Sequence, residues 1–249
     1  MKIVCISQAR LGSTRLPQKV LKEINGIALI DYHFERLKSS HLVNEHWLST
    51  SELAQDDKLA NHATDKRWPW YRGSEDNVLE RFYLTATAAG CASDDVIVRL
   101  TGDCPLICPT VLDETIKAHL SNNPSGYTHF VKESLPRGFD VEVFSMQNLE
   151  NACRNATTDA QKEHVTLYMY AYSKNVEILS LQLGKIGWGD YRLCVDEQAD
   201  FETVQALVDL IHDNGKDWKT ISAYEICELL DKHPEVANIN KEVTQKTAH

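Results

Sequence analysis

The feature that most constrains this chain is an apolar tetrad, Ile3-Val4-Cys5-Ile6, followed closely by a run from Ala9 to Lys22 that holds four cations and no acid. An uninterrupted apolar run of this length reads as a strand buried on both faces, the form strands take in a parallel sheet. A loop at the carboxyl end of the first strand of such a sheet is where α/β folds bind ligands. Within the loop, Gly12 between Leu11 and Ser13 allows close backbone approach, and Ser13 and Thr14 add small donors. Arg10, Arg15 and Lys19 can then converge on a polyanion. A solvated basic loop would have no need of Gly-Ser-Thr set between two arginines. The pattern is not the phosphate loop of common nucleotide hydrolases, because Pro17 stands where their second glycine would be. A Gly-x-Gly-x-x-Gly dinucleotide fingerprint is absent from the whole chain.

The loop inverts the sign of its surroundings. The 249 residues carry a formal net charge of -10, which argues against non-specific binding to nucleic acid or to an anionic membrane. A polyanionic substrate must be drawn by a local site, with a divalent cation to assist. With 43% hydrophobic residues, the chain can bury a substantial core. No apolar run approaches the roughly 20 residues needed to span a bilayer. Seven scattered cysteines, an odd number without a zinc-ligand pattern, favour reduced thiols and a cytoplasmic setting.

Downstream, the periodicity predicts a helix over 28–38, a strand over 43–49 and a polar helix over 52–64, a strand–helix alternation that indicates right-handed crossovers. In Arg72-Gly73-Ser74-Glu75-Asp76-Asn77, Ser74 is placed to cap the helix that follows, with Asn77 at its third position. Asp95 to Leu100 is a buried strand running into Thr101-Gly102-Asp103-Cys104-Pro105-Leu106. By spacing alone, Asp103 is equally a turn residue or a metal ligand. A helix is expected over 111–120. Tyr127-Thr128-His129-Phe130 and Leu135 to Phe144 follow it. The second stretch alternates, with Phe139, Val141 and Val143 on one face and Asp140 and Glu142 on the other. Those two acids are either a solvated edge or, with Arg137-Gly138 beside them, an edge that binds substrate. Helices are expected over 147–154 and 159–172, a strand over 176–183, and a last packed helix over 221–230. Tyr191 to Val195 reads as another short strand ending in Asp196, with Asp200 as the N-cap of the next helix.

Taken in order, these motifs resemble the sugar cytidylyltransferases: the CMP-Kdo and CMP-sialic acid synthetases and, most closely, the SpsF-like polysaccharide-biosynthesis proteins. The opening loop is similar to their Ala-Arg-x-Gly-Ser-x-Arg-Leu-Pro-Gly-Lys, which holds the triphosphate of CTP. Gln18 stands where that pattern has glycine, and Cys108 where the SpsF-like proteins often have aspartate. Gly-Asp-x-Pro-Leu at Gly102–Leu106 is similar to the family's metal-binding motif, and Val195-Asp196 with Asp200 resembles its second metal-holding element. The resemblance implies a three-layer nucleotide-diphospho-sugar transferase-like α/β fold with a central, mainly parallel sheet. It implies one domain over 1–238 with a small antiparallel arm at 127–146 for substrate or a homodimer partner, and a polar tail over 239–249.

The implied reaction is CTP plus a sugar hydroxyl giving CMP-sugar and pyrophosphate. The implied nucleotide site is Ala9, Arg10, Leu11, Gly12, Ser13, Arg15, Lys19, Arg72, Gly73, Ser74, Asn77 and Asp103. Arg10, Arg15, Lys19 and Asp103 carry the chemistry. Tyr127, His129, Arg137, Asp140, Glu142 and His164 are expected to bind the sugar, an acidic one with its carboxylate on Arg137. Magnesium is expected on Asp103 and Asp196, both ending strands at the edge that carries the loop. Two bare carboxylates facing each other would repel, and the ion removes that conflict. A glycosyltransferase of similar topology is a rival, although it would usually hold metal with Asp-x-Asp, and none occurs here. A silent nucleotide-binding protein is another.

Overall fold

The computed structural model describes residues 1–244. Nine strands are found among them: β1 (Ile3–Gln8), β2 (Glu23–Ile24), β3 (Ile27–Ala28), β4 (Glu45–Ser51), β5 (Trp70–Gly73), β6 (Val96–Thr101), β7 (Tyr127–Phe130), β8 (Glu142–Ser145) and β9 (Ile178–Leu181). The main helices are α1 (Leu29–Leu37), α2 (Asp57–Asp65), α3 (Val78–Ala88), α4 (Pro109–Asn122), α5 (Met146–Asn155), α6 (Asp159–Glu163), α7 (Gln198–Asp213) and α8 (Ala223–Lys232).

Seven strands form one sheet in the order β5-β4-β1-β6-β8-β7-β9. β5, β4, β1 and β6 run parallel, as do β7 and β9, and only β8 is reversed between its neighbours. β1 shows why the opening tetrad reads as it does. Ile3 and Cys5 face the cluster shared with α4, α7 and α8, while Val4 and Ile6 face the one shared with α3 and α5. Both faces are dry, so no polar residue interrupts the run.

The antiparallel pairing expected over 127–146 is present, but inside the central sheet. The separate two-stranded antiparallel piece is β2 with β3, directly after the cationic loop. Phe139, Val141 and Val143 are buried as the alternation predicted.

Four expectations are corrected. The first concerns Trp70–Gly73, an edge strand paired with Leu48–Ser51. It is four residues long, Trp-Tyr-Arg-Gly, too short and without alternation to carry a periodic signal. Second, Tyr191–Asp196 is not a strand. It is extended chain that makes one isolated bridge, Arg137 with Arg192, and bonds loops instead of a ladder. Third, the helix expected over 159–172 breaks at His164 (φ -99°, ψ 89°) and resumes as a π-turn at Tyr168–Tyr172. The β-branched pair Val165-Thr166 sits in the break. Fourth, both capping assignments move. Asn77 caps α3, its side chain accepting from Glu80 N–H, and Ser74 Oγ accepts from Asn77 N–H at 3.0 Å. Glu197 caps α7, with Asp200 inside the first turn. In the expected tail, Asn240 is buried and donates to Arg192 O at 3.0 Å and to Asp200 Oδ1 at 2.8 Å. Residues 245–249 of that tail lie outside the described residues.

Candidate active site

The cationic loop is held by its apolar residues. Leu11, Leu16 and Val20 are buried, and Leu11 N–H donates at 2.6 Å to the fully buried Asp56, whose other oxygen accepts from Ser51 Oγ. Leu11 is therefore an anchor and does not line the cleft. Gln18 takes the left-handed conformation (φ 54°, ψ 26°) and starts the 3-10 turn Lys19–Leu21. This is the conformation that favours glycine, so the residue type departs from the family pattern while the backbone path keeps it.

Lys19 is driven inward by that turn. Its Nζ lies 2.8 Å from Asp103 Oδ2 and 2.8 Å from Asp196 Oδ1. Burial alone would lower the Lys19 pKa, but the two carboxylates outweigh it and raise it. Asp196 feels the reverse. Burial would raise its pKa, but Lys19, Arg15 and Arg192 together hold it below the usual range. Arg15 pairs with Glu197 at 2.8 Å and Asp196 at 3.4 Å, and Arg192 Nη2 donates to Asp196 Oδ2 at 2.6 Å. Among the described residues, Asp103 Oδ1, by contrast, has only the Cys104 thiol, at 3.6 Å. The two acids therefore meet as expected, although not as two strand ends. β6 stops at Thr101, and extended chain brings Asp196 in through Val195 N–H to Asp103 O at 2.8 Å. The conflict between them is met here by an ammonium group.

These groups open on a cleft of about 1780 Å³. Ala9, Arg10, Gly12, Ser13, Arg15, Lys19, Ser74, Asn77, Asp103 and Asp196 line it on the loop side. Tyr127, His129, Arg137, Asp140, Glu142 and His164 line it on the β7–β8 side. Arg72 and Gly73 do not. Arg72 donates to Ser51 O, Leu53 O and Asp57 Oδ1, fastening the end of β4 to α2. Its place at the end of an edge strand turns it away from the ligand, so the nucleotide role expected for the pair is not supported. Arg10 reaches Glu75 at 2.6 Å with about half its side chain exposed.

On the β7–β8 side, Glu142 is occupied. It accepts from Arg99 Nη1, from Tyr127 OH and, at 2.8 Å, from Thr166 Oγ1. Burial would raise the Glu142 pKa, but Arg99 and these hydroxyls hold it below the usual range. The expectation that Glu142 is free to accept from a sugar is corrected, because Arg99 sits directly opposite it in the β6–β8 register. Asp140 is different. Burial raises its pKa, and among the described residues only Gly138 N–H donates to it, at 3.0 Å. Gly138 has φ 111°, and a side chain there would start 2.7 Å from the Leu193 carbonyl carbon. Arg137 makes no side-chain hydrogen bond or ion pair among the described residues, so its planar fork is available. His129 is tied to Phe130 O at 2.8 Å and Ser180 Oγ at 2.9 Å, and His164 ends α6 at the cleft wall.

Sequence reasoning missed several lining residues. Arg99 and Gln8 sit inside apolar-looking strands, and Thr166 follows a helix break. Arg81, 2% exposed, lies within the amphipathic pattern of α3 and donates to Ser74 O at 2.7 Å. A charged residue in an otherwise buried strand, such as Arg99, was the one signal that could have found them.

Among the described residues, no cluster of three or more His, Cys, Asp or Glu side chains is arranged to hold a metal, and no helix is long and apolar enough to cross a membrane. All seven cysteines are free thiols.

The chain matches the cytidylyltransferase family over residues 4–226. It is 33% identical over 241 residues to the spore coat polysaccharide biosynthesis protein SpsF of Bacillus subtilis, an alignment covering 94% of this chain and 96% of that protein. A 3-deoxy-manno-octulosonate cytidylyltransferase of Desulfosudis oleivorans is 30% identical over 130 residues, 51% of each protein. Among solved structures, a cytidylyltransferase from Leptospira borgpetersenii superposes with a TM-score of 0.86 at 27% identity, covering all of both chains. The match spans the loop, both acids and all seven strands of the main sheet, and the chain belongs to the cytidylyltransferase family.

Proposed function

We propose that this enzyme transfers the cytidylyl group of CTP to a hydroxyl of an acidic sugar and releases pyrophosphate. The observation that carries the reading is the meeting of the cationic loop with Asp103 and Asp196 in the cleft that Arg137 and Asp140 also line. The names of the relatives support it: one is a polysaccharide-biosynthesis protein and another a sugar-acid cytidylyltransferase.

In this scheme the sugar hydroxyl attacks the α-phosphorus in line with the departing pyrophosphate. Arg10, Arg15 and Lys19 neutralise the charge that develops on the phosphate oxygens, fixed donors aimed where the charge appears. Ser13 and backbone N–H groups near Gly12 orient the triphosphate. Arg137 pairs with the sugar carboxylate, and Asp140 accepts from a sugar hydroxyl. Asp103 and Asp196 fit magnesium in its usual protein mode, one or two carboxylates with phosphate and water completing the shell. Asp103 is the better donor of the two, since one of its oxygens meets no cation. The ion, when bound there, would supply charge neutralisation at the phosphates and lower the pKa of the attacking hydroxyl.

The test is a pyrophosphate-release screen of four nucleoside triphosphates against acidic and neutral sugars, with chelator and magnesium arms. CTP with an acidic sugar and magnesium is the expected productive set. Release of a nucleoside diphosphate would sink the reading, and equal use of neutral sugars would remove the role of Arg137. The homodimer is part of the same proposal and is read by light scattering of the intact protein.

A further inference from the structure

Beneath the cleft floor lies a buried polar chain that the reaction scheme does not use. His33 on α1 and Ser7 on β1 are both fully buried. His33 Nδ1 lies 2.8 Å from the carbonyl oxygen of Cys104, and its Nε2 lies 2.7 Å from Ser7 Oγ. Ser7 Oγ lies in turn 2.8 Å from His46 Nε2 on β4.

The direction of every bond follows by elimination. A carbonyl oxygen can only accept, so the proton is on His33 Nδ1. Burial lowers the His33 pKa to about 4, so the ring is neutral at pH 7 and its Nε2 is a bare acceptor. Ser7 must therefore donate to His33, which leaves its oxygen to accept from His46 Nε2–H. The chain runs His46 to Ser7 to His33 to the Cys104 carbonyl.

That carbonyl belongs to the residue next to Asp103. The Asp103 turn is held on its other sides as well. Gly102 N–H donates to Gln8 O at 2.8 Å, and Asp103 O accepts from Val195 N–H at 2.8 Å. A side chain on Gly102 would start 2.7 Å from Ile30 Cδ1 and 2.9 Å from Ala9 Cβ, so the turn is pressed against β1 and α1. One turn along the same helix, Arg36 Nε donates to Ile107 O at 2.6 Å. α1 follows the loop that carries Lys19, and with these two side chains it grips the loop that carries Asp103.

We propose that His33, held as the Nδ1-protonated tautomer by the Cys104 carbonyl and braced from behind by Ser7 and His46, is a positioning residue that sets Asp103 against Lys19 and Asp196 for nucleotidyl transfer. The proposal rests on the reading that Asp103 is part of the reacting centre. Residues that orient such groups commonly matter by about 10–100-fold.

Two measurements test it. Nitrogen-15 NMR of histidine-labelled wild-type protein at neutral pH needs no substrate. It should show His33 with a protonated Nδ1 and a bare Nε2, and the opposite tautomer would overturn the proposal. Kinetics then separate positioning from simple stability. His33→Leu should lower kcat by about tenfold or more with KM for CTP little changed, while His33→Asn, which keeps a donor near the Nδ1 position, should recover most of the loss. Equal losses in both variants, or none in His33→Leu, would overturn it. Should His33→Leu fail to fold, Ser7→Ala removes only the hydroxyl that holds His33 Nε2 and should lower kcat with KM for CTP little changed, while the Cys104 carbonyl keeps the proton on Nδ1. An unchanged kcat in Ser7→Ala would overturn the proposal. A wild-type protein that transfers no nucleotide to any sugar would remove the functional reading and leave the tautomer result standing.

Discussion

The two sides of the cleft solve the same problem, keeping charge in a partly dry place, by different means. On the loop side, charges from distant segments are paired as ions: Lys19 with Asp103 and Asp196, Arg15 with Glu197, and Arg10 with Glu75. On the β7–β8 side, a single carboxylate, Glu142, collects Arg99 and two hydroxyls into one network, while Arg137 and Asp140 stay loosely engaged. Separate ion pairs would suit a side that, on the proposed reading, hands its cations to a ligand. A closed network suits a wall that holds shape while a few groups read the substrate. The difference teaches that charge density alone does not mark where the chemistry happens. What marks it is charge that can change partners.

The sharpest way to break this comparison is at its loop side. Lys19→Ala, Asp103→Asn and Asp196→Asn should each cost about 2.7–4 kcal/mol of transition-state stabilisation, at least about a hundredfold in kcat by pyrophosphate release. Any pair of these changes should be scarcely worse than one, because the three act as a unit. Strictly additive losses would show three independent contacts instead.

Next comes the opposite wall. Arg99→Met leaves Glu142 partly buried without its cation and should destabilise the fold by about 3 kcal/mol in denaturant unfolding. Arg15→Met, whose pair with Glu197 is more exposed (28% and 40%), should lower stability by about 1 kcal/mol or less. Equal losses would erase the distinction between the two sides.

A smaller effect is expected where the wall reads its substrate. Arg137→Lys keeps the charge but loses the fork, so sugar KM should rise roughly tenfold with CTP KM nearly unchanged. A matching rise in both would place Arg137 in general cleft packing. The smallest effect belongs to the backbone of the loop. Gln18→Gly relieves a left-handed conformation and should raise stability by about 1 kcal/mol at unchanged kcat. A loss of stability would mean that the Gln18 side chain has a use the structure does not reveal.

How much of this was legible follows the same division. On the loop side the cations are written contiguously, a buried strand and then Arg10, Arg15 and Lys19 around Gly-Ser-Thr, while the two acids come from distant segments. The residues of this side could be singled out by their order together with the family resemblance that order carries, since spacing alone left Asp103 open. Even there, the geometry behind Asp196 was misread, because an extended segment with a single bridge looks in sequence like a strand. The β7–β8 side is closed by partners that belong to no common motif, Arg99, Tyr127 and Thr166 meeting on Glu142. Glu142 alternates with apolar neighbours and reads as a free acid, and nothing in a single sequence reveals that Arg99 stands across from it in register. Arg72 failed for the opposite reason. It lies in a recognisable motif, but an unforeseen edge strand directs it toward Asp57. Side-chain partners set by sheet order are invisible to periodicity, whereas a loop that stays local in sequence is not.

The ammonium of Lys19 between two carboxylates has a consequence for competition among anions. A site of bare positive charge would trap whatever anion is most abundant, and small ones such as inorganic phosphate would occupy it. Here each cation already has a partner, so an incoming anion gains only the difference between new contacts and those it displaces. A single small anion replaces one or two pairs and gains little. A chain of linked phosphates can engage Arg10, Arg15 and Lys19 together, and the effective concentration of its second and third groups makes up for each pair broken. On the proposed reading, the self-neutralised site would filter by length, with an affinity less sensitive to ionic strength than a count of its cations would suggest.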